Sequence, residues 1–282
     1  MSVTALPPAA PLIILGAPLS GTDRVAELMQ GAGLFLGNDR NRYGESHFFL
    51  DQSRWLFRCA HAEWDVTEPM GWAFEDEAAR EAMAEALRER VETKGIKGFL
   101  GWKTHLRNRS LLTYAEPWGW ADTLTSFTLP LWLRVFPKAR VVHVVRNGVD
   151  VALDLAQREQ ERRAQLKSRA RSSRCLDPAR AFEVWSSYVS AAVASTEHLP
   201  ADRVLRLRYE ELSSQPKATF EDLLHLAQVE LEEEQQAEVL GALDPLGVET
   251  FQESAEGRAL YRELSGHALM EAFEYDGVKA AS

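Results

Sequence analysis

Two turns in this chain carry residues suited to holding an anion. The first, Gly16-Ala17-Pro18-Leu19-Ser20-Gly21-Thr22, follows a short apolar run and precedes an amphipathic stretch from about Asp23. A strand that turns through such a loop into a helix aims successive backbone N–H groups, and the positive end of the helix dipole, at one point. Glycines let the backbone approach a phosphate or sulfate closely, and the hydroxyls of Ser20 and Thr22 add neutral donors. The spacing approaches the G-x-x-x-x-G-K-[ST] loop of nucleotide triphosphatases, yet no lysine follows Gly21, which argues against that activity. The second turn is Arg146-Asn147-Gly148, at the end of the β-branched run 140–145. An arginine there can form paired hydrogen bonds to a phosphate, or an ordinary ion pair with Asp150.

Both turns need strands to carry them. Four runs read as strands: LIILG (12–16), GFLGWK (98–103), RVVHVV (140–145) and RVLRLRY (203–209). Between them lie helical patterns such as residues 76–95, with Ala, Leu and Val at helical spacing and a glycine at the end. Alternating strands and helices imply parallel pairing, with helices on both faces of the sheet. The expectation is a single α/β domain over residues 1–282, with about five strands and helical insertions around 40–95 and 155–200. Residues 1–10 read as a flexible N-terminus and 275–282 as a frayed tail. The turns at 16–22 and 146–148 then sit at the carboxyl ends of strands, where open α/β sheets bind ligands.

Composition narrows the partners. With 45% hydrophobic and 26% charged residues the chain can build a large core, and its formal net charge of -10 argues against a general nucleic-acid binder. Any anion must therefore be met locally. Cys59 and Cys175 are the only cysteines and lack metal-ligand spacing, so neither a disulfide framework nor a metal site is expected. The N-terminal MSVTALPPAAPLIIL has no basic n-region, and no apolar run is long enough to span a membrane; the expectation is a cytoplasmic protein. Residues 230–238 are acidic and read as a solvated helix face, whereas the basic run 157–174 follows the Arg146 turn directly.

On these residues the chain resembles the cytosolic-type sulfotransferases that use 3′-phosphoadenosine 5′-phosphosulfate, from about residue 11 to at least 225. Pro18-Leu19-Ser20-Gly21-Thr22 stands where that family has P-[KR]-S-G-T, and Arg146 to Asp154 matches its R-[ND]-x-x-D-V-A-x-S. LRYEEL (207–212) is similar to the family's L-R-Y-E-[DE]-L. The resemblance implies a P-loop-like sulfotransferase fold. It implies that Pro18 to Thr22, with Asp23, hold the 5′-phosphosulfate, and that Arg146, with position 154, meets the 3′-phosphate. Tyr209 carries over as a nucleotide contact, although as an aromatic residue it also reads as core, like Phe182, Trp185 and Tyr188. Arg258, beside Gly257, stands where family members present a basic, glycine-containing loop.

The resemblance also supplies candidates for the chemistry. Lys103-Thr104-His105 resembles the family's K-T-H, in which the lysine contacts the transferring group and the histidine is the general base. Bacterial and carbohydrate-modifying relatives instead place a glutamate after the first helix, and Glu45, near His47, matches that segment; the two bases remain alternatives. Some bacterial relatives carry W-G-W-K-D-P-R near residues 118–124, where Ala121 replaces the lysine. Either Lys103 takes that role, with 106–125 an insertion near the acceptor, or the lysine is lost. Trp118 and Trp120 then either line an apolar acceptor site or pack in the core.

Two departures stand out. Leu19 replaces the loop's Lys or Arg, and Asp154 replaces a serine, where a carboxylate repels a 3′-phosphate unless it turns away or an arginine neutralises it. Arg158, Arg162, Arg163, Lys167, Arg169, Arg171 and Arg174 offer compensating charge that could close over the ligand. The function implied is sulfuryl transfer from 3′-phosphoadenosine 5′-phosphosulfate, leaving adenosine 3′,5′-bisphosphate, to a hydroxyl or amine of a small molecule, without a metal. The alternatives are a catalytically impaired protein that binds a nucleotide or other anion and acts through partner contacts, and a kinase-like phosphotransferase.

Overall fold

Leu12–Gly16 forms the first strand, β1, with all of its residues buried. In the computed structural model, which describes residues 9–73, 75–165, 172–243 and 247–277, β1 lies inside a parallel sheet. The other strands are β2 (Gly119–Ala121), β3 (Arg140–Val145) and β4 (Val204–Arg208), in the order β2-β1-β3-β4. Leu12 pairs with Gly119 on one side and Arg140 on the other, and Val141 pairs with Val204. A Cβ at Gly119 would overlap the Leu12 carbonyl, so β2 can lie this close to β1 only with glycine there.

The helices are α1 (Thr22–Gly31), α2 (His47–Cys59), α3 (Pro69–Ala73), α4 (Glu77–Val91), α5 (Lys97–Arg107) and α6 (Thr125–Val135). They continue with α7 (Gly148–Ala164), α8 (Pro178–Thr196), α9 (Glu211–Ser214), α10 (Pro216–Ala227), α11 (Glu233–Gly241), α12 (Ala255–Leu264) and α13 (Ala268–Ala272). Strand alternation divides the core between the two faces. Ile13 and Leu15 pack with Phe49, Trp120 and Leu129, drawing in α2 and α6. Leu12 and Ile14 pack on the opposite face with Val25 and Met29 of α1 and Phe220 and Leu223 of α10.

Two sequence expectations change. Residues 98–103 are not a strand but lie in α5: Ile96, Phe99 and Leu100 are buried at helical spacing, while Trp102 and Leu106 are exposed. Gly101, at φ 73, kinks this helix midway. The strand beside β1 is instead the three-residue β2, so the described residues form a four-stranded sheet rather than about five. Trp118 and Trp120 are fully buried, and Trp120 stacks on Phe49 at a centroid distance of 4.0 Å, which places both indoles in the core rather than in an acceptor pocket.

The chain's ends divide between described and undescribed residues. Residues 1–8 and 278–282 lie outside the described residues. Tyr275, expected to open a frayed tail, is buried and donates its hydroxyl to the Glu210 carboxylate at 2.6 Å. The phenol anchors the C-terminal segment to the turn after β4.

His143, in the middle of β3, is fully buried with neither ring nitrogen hydrogen-bonded. Burial, helped by Arg206, lowers its pKa from 6.5 to about 3. Below pH 6.5 the unfolded chain binds a proton that the native chain refuses, so this position withdraws stability as pH falls towards 3. His143→Leu is therefore expected to stabilise the fold, by about 2 kcal/mol more at pH 5 than at pH 8. Urea melts at both pH values check this; an equal change at both would show that the imidazole does not titrate as argued.

Candidate active site

The turn between β1 and α1 is held by close contacts. Gly21 caps α1 at φ 92, and a Cβ there would overlap the Tyr209 ring. Tyr209 is thus the floor beneath the loop. Leu19 also lies in the left-handed region, at φ 64, an unfavourable conformation for a residue with a Cβ. Its carbonyl accepts from Arg146 Nη1 at 3.2 Å, and its side chain packs against the core on the α7 and α8 side. Ser20 is buried, and its hydroxyl has no partner. In the first turn of α1, Arg24 N donates to the Gly21 carbonyl at 3.1 Å, which leaves the N–H groups of Thr22 and Asp23 without an acceptor among the described residues. An orphaned hydroxyl beside unsatisfied N–H groups suits a bound anion.

Arg146 is 7% exposed. Its Nη1 donates to Asp154 at 2.6 Å, its Nη2 lies 3.8 Å from Asp150, and its guanidinium sits over the Tyr209 ring. Burial opposes this charge most strongly, but Asp154 and Asp150 outweigh it and raise the pKa. Asp154 is therefore neutralised by an arginine, and that arginine is the one expected to meet a 3′-phosphate. Around it, Trp185 Nε1 donates to the Arg146 carbonyl at 3.1 Å, and Asn147 N donates to Glu210 at 3.0 Å. Asp150 accepts from Phe251 N at 2.7 Å and Thr250 Oγ1 at 3.1 Å, and burial raises its pKa. The junction between β3 and α7 is thus tied to β4 and to the segment before α12.

Beside the loop lies a cavity of about 450 Å³. Pro18, Leu19, Thr22 and Asp23 line one side, and Leu155, Arg158, Glu159 and Arg162 of α7 line another. Leu50, Phe57, Ala62, Trp64, Leu124 and Tyr188 supply a largely apolar wall, with Arg54 and Arg58 of α2 also in the lining. Glu45 enters from the turn before α2. Asn41 Oδ1 accepts from the backbone N–H groups of Tyr43 and Glu45 at 2.8 and 3.2 Å, and Asn41 Nδ2 donates to the Glu45 carboxylate at 2.9 Å. Thr123 Oγ1, just beyond β2, donates to the other carboxylate oxygen at 3.3 Å. Asp122, fully buried, accepts from Ser53 Oγ at 2.5 Å, Thr125 Oγ1 at 2.8 Å and Leu124 N at 3.0 Å. Burial, with the Glu45 charge adding to it, pushes the Asp122 carboxyl up to about 7.

The cavity does not gather every candidate. Pro18, Leu19, Thr22, Asp23 and Glu45 line it, whereas Ser20, Gly21, Tyr209, Arg146 and Asp154 form the packed layer behind and beside the loop. Lys103 and His105 lie on α5 and do not line it; the Lys103 ammonium sits 5.8 Å over the exposed Trp102 ring. His47 is exposed at the start of α2, and Arg258 donates to the Gln252 carbonyl at 2.5 Å, also outside the cavity. Of the basic run, Arg158 and Arg162 reach the cavity, Arg163 is exposed, and Arg174 pairs with Glu68 and Glu183 at 2.7 and 3.0 Å. Lys167, Arg169 and Arg171 lie outside the described residues.

Asn41 and Thr123, which bond Glu45, and Asp122, whose carboxyl feels the Glu45 charge, carry no assignment from the sequence. A polar pair after Trp-Gly-Trp-Ala was the available signal, once that run is read as a strand leading into the cavity.

Several solved structures are similar to this chain at low sequence identity. The sulfotransferase domain of the Synechococcus PCC 7002 olefin synthase is 17% identical, with a TM-score of 0.49 over 98% of each chain. The sulfotransferase domain from the curacin biosynthetic pathway is 13% identical, with a TM-score of 0.47 over 91% of this chain and 98% of that one. A sulfotransferase from Mycobacterium tuberculosis H37Rv is 12% identical, with a TM-score of 0.45 over 84% of this chain and 72% of that one. No curated protein matches the sequence. The model of the sulfotransferase family matches residues 11–233, most of the chain, and on that match the protein belongs to the sulfotransferase family.

Proposed function

We propose that this protein transfers a sulfuryl group from 3′-phosphoadenosine 5′-phosphosulfate to a hydroxyl or amine of a small-molecule acceptor, with Glu45 as the general base. The observation that carries this reading is one cavity lined both by the loop at the N-terminus of α1 and by a carboxylate held by Asn41 and Thr123. When bound, the donor supplies an activated sulfuryl group on a phosphate leaving group. The α1 N-terminus, Ser20 and Thr22 would hold the phosphosulfate end, which the partnerless Ser20 hydroxyl fits. At the other end the fit is conditional, since Asp154 must release Arg146 before a 3′-phosphate can take it.

Asn41 and Thr123 bond the two carboxylate oxygens of Glu45 and so fix its orientation. Glu45 accepts the acceptor's proton as the oxygen or nitrogen attacks sulfur. The bond between sulfur and the phosphate oxygen breaks, and adenosine 3′,5′-bisphosphate leaves. The apolar wall suits an acceptor with a hydrophobic body. Lys103 and His105, which do not line the cavity, are given no role in this reading.

Calorimetry with adenosine 3′,5′-bisphosphate, set against ATP and sulfate, tests the donor. Micromolar binding of the bisphosphate alone is expected, and no binding would refute the assignment. Leu19 and the Arg146–Asp154 pair favour a second reading, a protein that binds an anion without turnover. Tight binding without transfer to any of a panel of phenols, alcohols and amines would select it.

A further inference from the structure

The loop at 18–22 contains no cationic side chain, since the position that carries one in the family is Leu19, packed inward against the core. The cavity it lines does receive guanidinium groups from α7. Arg158 Nη2 donates to the Tyr43 hydroxyl at 2.9 Å, and its guanidinium lies 5.0 Å over the Tyr43 ring. Arg42 reaches the same phenol, donating at 2.6 Å and lying 4.7 Å over the ring. Tyr43 thus receives hydrogen bonds from two guanidinium groups at one oxygen, with both stacked over its ring.

The position of this cluster is set by packing. Gly44, at φ 75, is so close to α1 that a Cβ there would lie 3.8 Å from the Asp23 Cα and 3.5 Å from the Ala26 Cβ. The 41–45 turn therefore rests on the first turns of α1, and Tyr43, Arg158 and Leu19 line the same cavity. Arg158 is half-buried, where a charge acts more strongly than in open solvent, and its stacked, hydrogen-bonded guanidinium is oriented in advance.

We propose that Arg158, oriented by Tyr43, supplies to the anion bound at the 18–22 loop the positive charge that the loop itself lacks. This rests on the donor assignment above. Asp23, an acidic residue in the first turn of α1, lines the same cavity. Arg162, the other α7 guanidinium in the lining, is bonded to the buried Glu159.

The test is a double-mutant cycle read by calorimetry with adenosine 3′,5′-bisphosphate. Arg158→Gln is expected to weaken binding about tenfold or more. Leu19→Lys should recover most of that loss in the Arg158→Gln background while adding little to the wild type, because the two cations serve one anion. Tyr43→Phe, which removes the hydrogen bond and keeps the ring, should weaken binding about threefold. Thermal melts of each variant confirm that it is folded, and Arg158→Lys serves as a second probe that keeps charge while losing the planar fork. Unchanged affinity in folded Arg158→Gln, or a gain from Leu19→Lys of equal size in both backgrounds, overturns the proposal with the donor assignment intact. A wild-type protein that binds no bisphosphate overturns both.

Discussion

Glu45→Gln is expected to lower sulfuryl transfer by about a hundred- to ten-thousandfold while leaving affinity for adenosine 3′,5′-bisphosphate close to wild type. The amide keeps the shape of the side chain and can still accept from Thr123 through its oxygen, but it cannot take a proton from the acceptor. Transfer from radiolabelled donor to a panel of small phenols and alcohols gives the rate, and calorimetry gives the affinity. His105→Ala, on α5 outside the cavity, is the matched control and should retain activity. The reverse outcome, an active Glu45→Gln and an inactive His105→Ala, would move the base to the Lys103-Thr104-His105 segment.

Arg146→Ala should destabilise the protein by about 3–5 kcal/mol, as does removal of one partner from a buried ion pair. Asp150 is fully buried and would lose its nearest cation, and the left-handed Leu19 would lose the donor to its carbonyl. Asp154→Ser leaves Arg146 beside Asp150 and removes a carboxylate that is 38% exposed, so it should cost much less. It should also strengthen bisphosphate binding, because the guanidinium no longer has to be released. Urea denaturation measures the first effect. A loss below about 1 kcal/mol would show that water reaches the carboxylates and that the junction between β3 and α7 does not depend on this arginine.

The opposite arrangement of charge around Asp122 matters for pH. Its carboxyl holds a proton up to about 7 in the native protein, against 3.8 ordinarily, so this group's contribution to stability falls as pH rises between those values. His143 acts in the opposite sense over nearly the same range. The two buried groups partly cancel, which is why a comparison at two pH values, rather than one melt, isolates the imidazole.

The sequence by itself determined the junctions. The run 12–16 with its glycine turn, the run 140–145 with Arg146, and the amphipathic stretches after each are set by β-branched clusters, glycine placement and helical spacing, all local properties. The parallel α/β class followed from their alternation. What the tertiary structure decided was which side chains share a cavity. The run 98–103 has the composition of a strand, but burial of Ile96, Phe99 and Leu100 on one face makes it helical, and Lys103 and His105 are not among the residues that line the cavity. The strand beside β1 is three residues long, too short for a periodic signal, yet it brings Asp122 and Thr123 to Glu45, more than seventy positions earlier in the chain.

The same holds for the charges. Leu19 and Asp154 read along the chain as a missing cation and a misplaced carboxylate. In three dimensions Asp154 bonds Arg146, and Arg158 arrives at the loop's cavity on Tyr43, a partner 115 positions away. Pairing of that kind depends on how α7 and the 41–45 turn meet at the cavity beside α1, a long-range property that local periodicity does not encode.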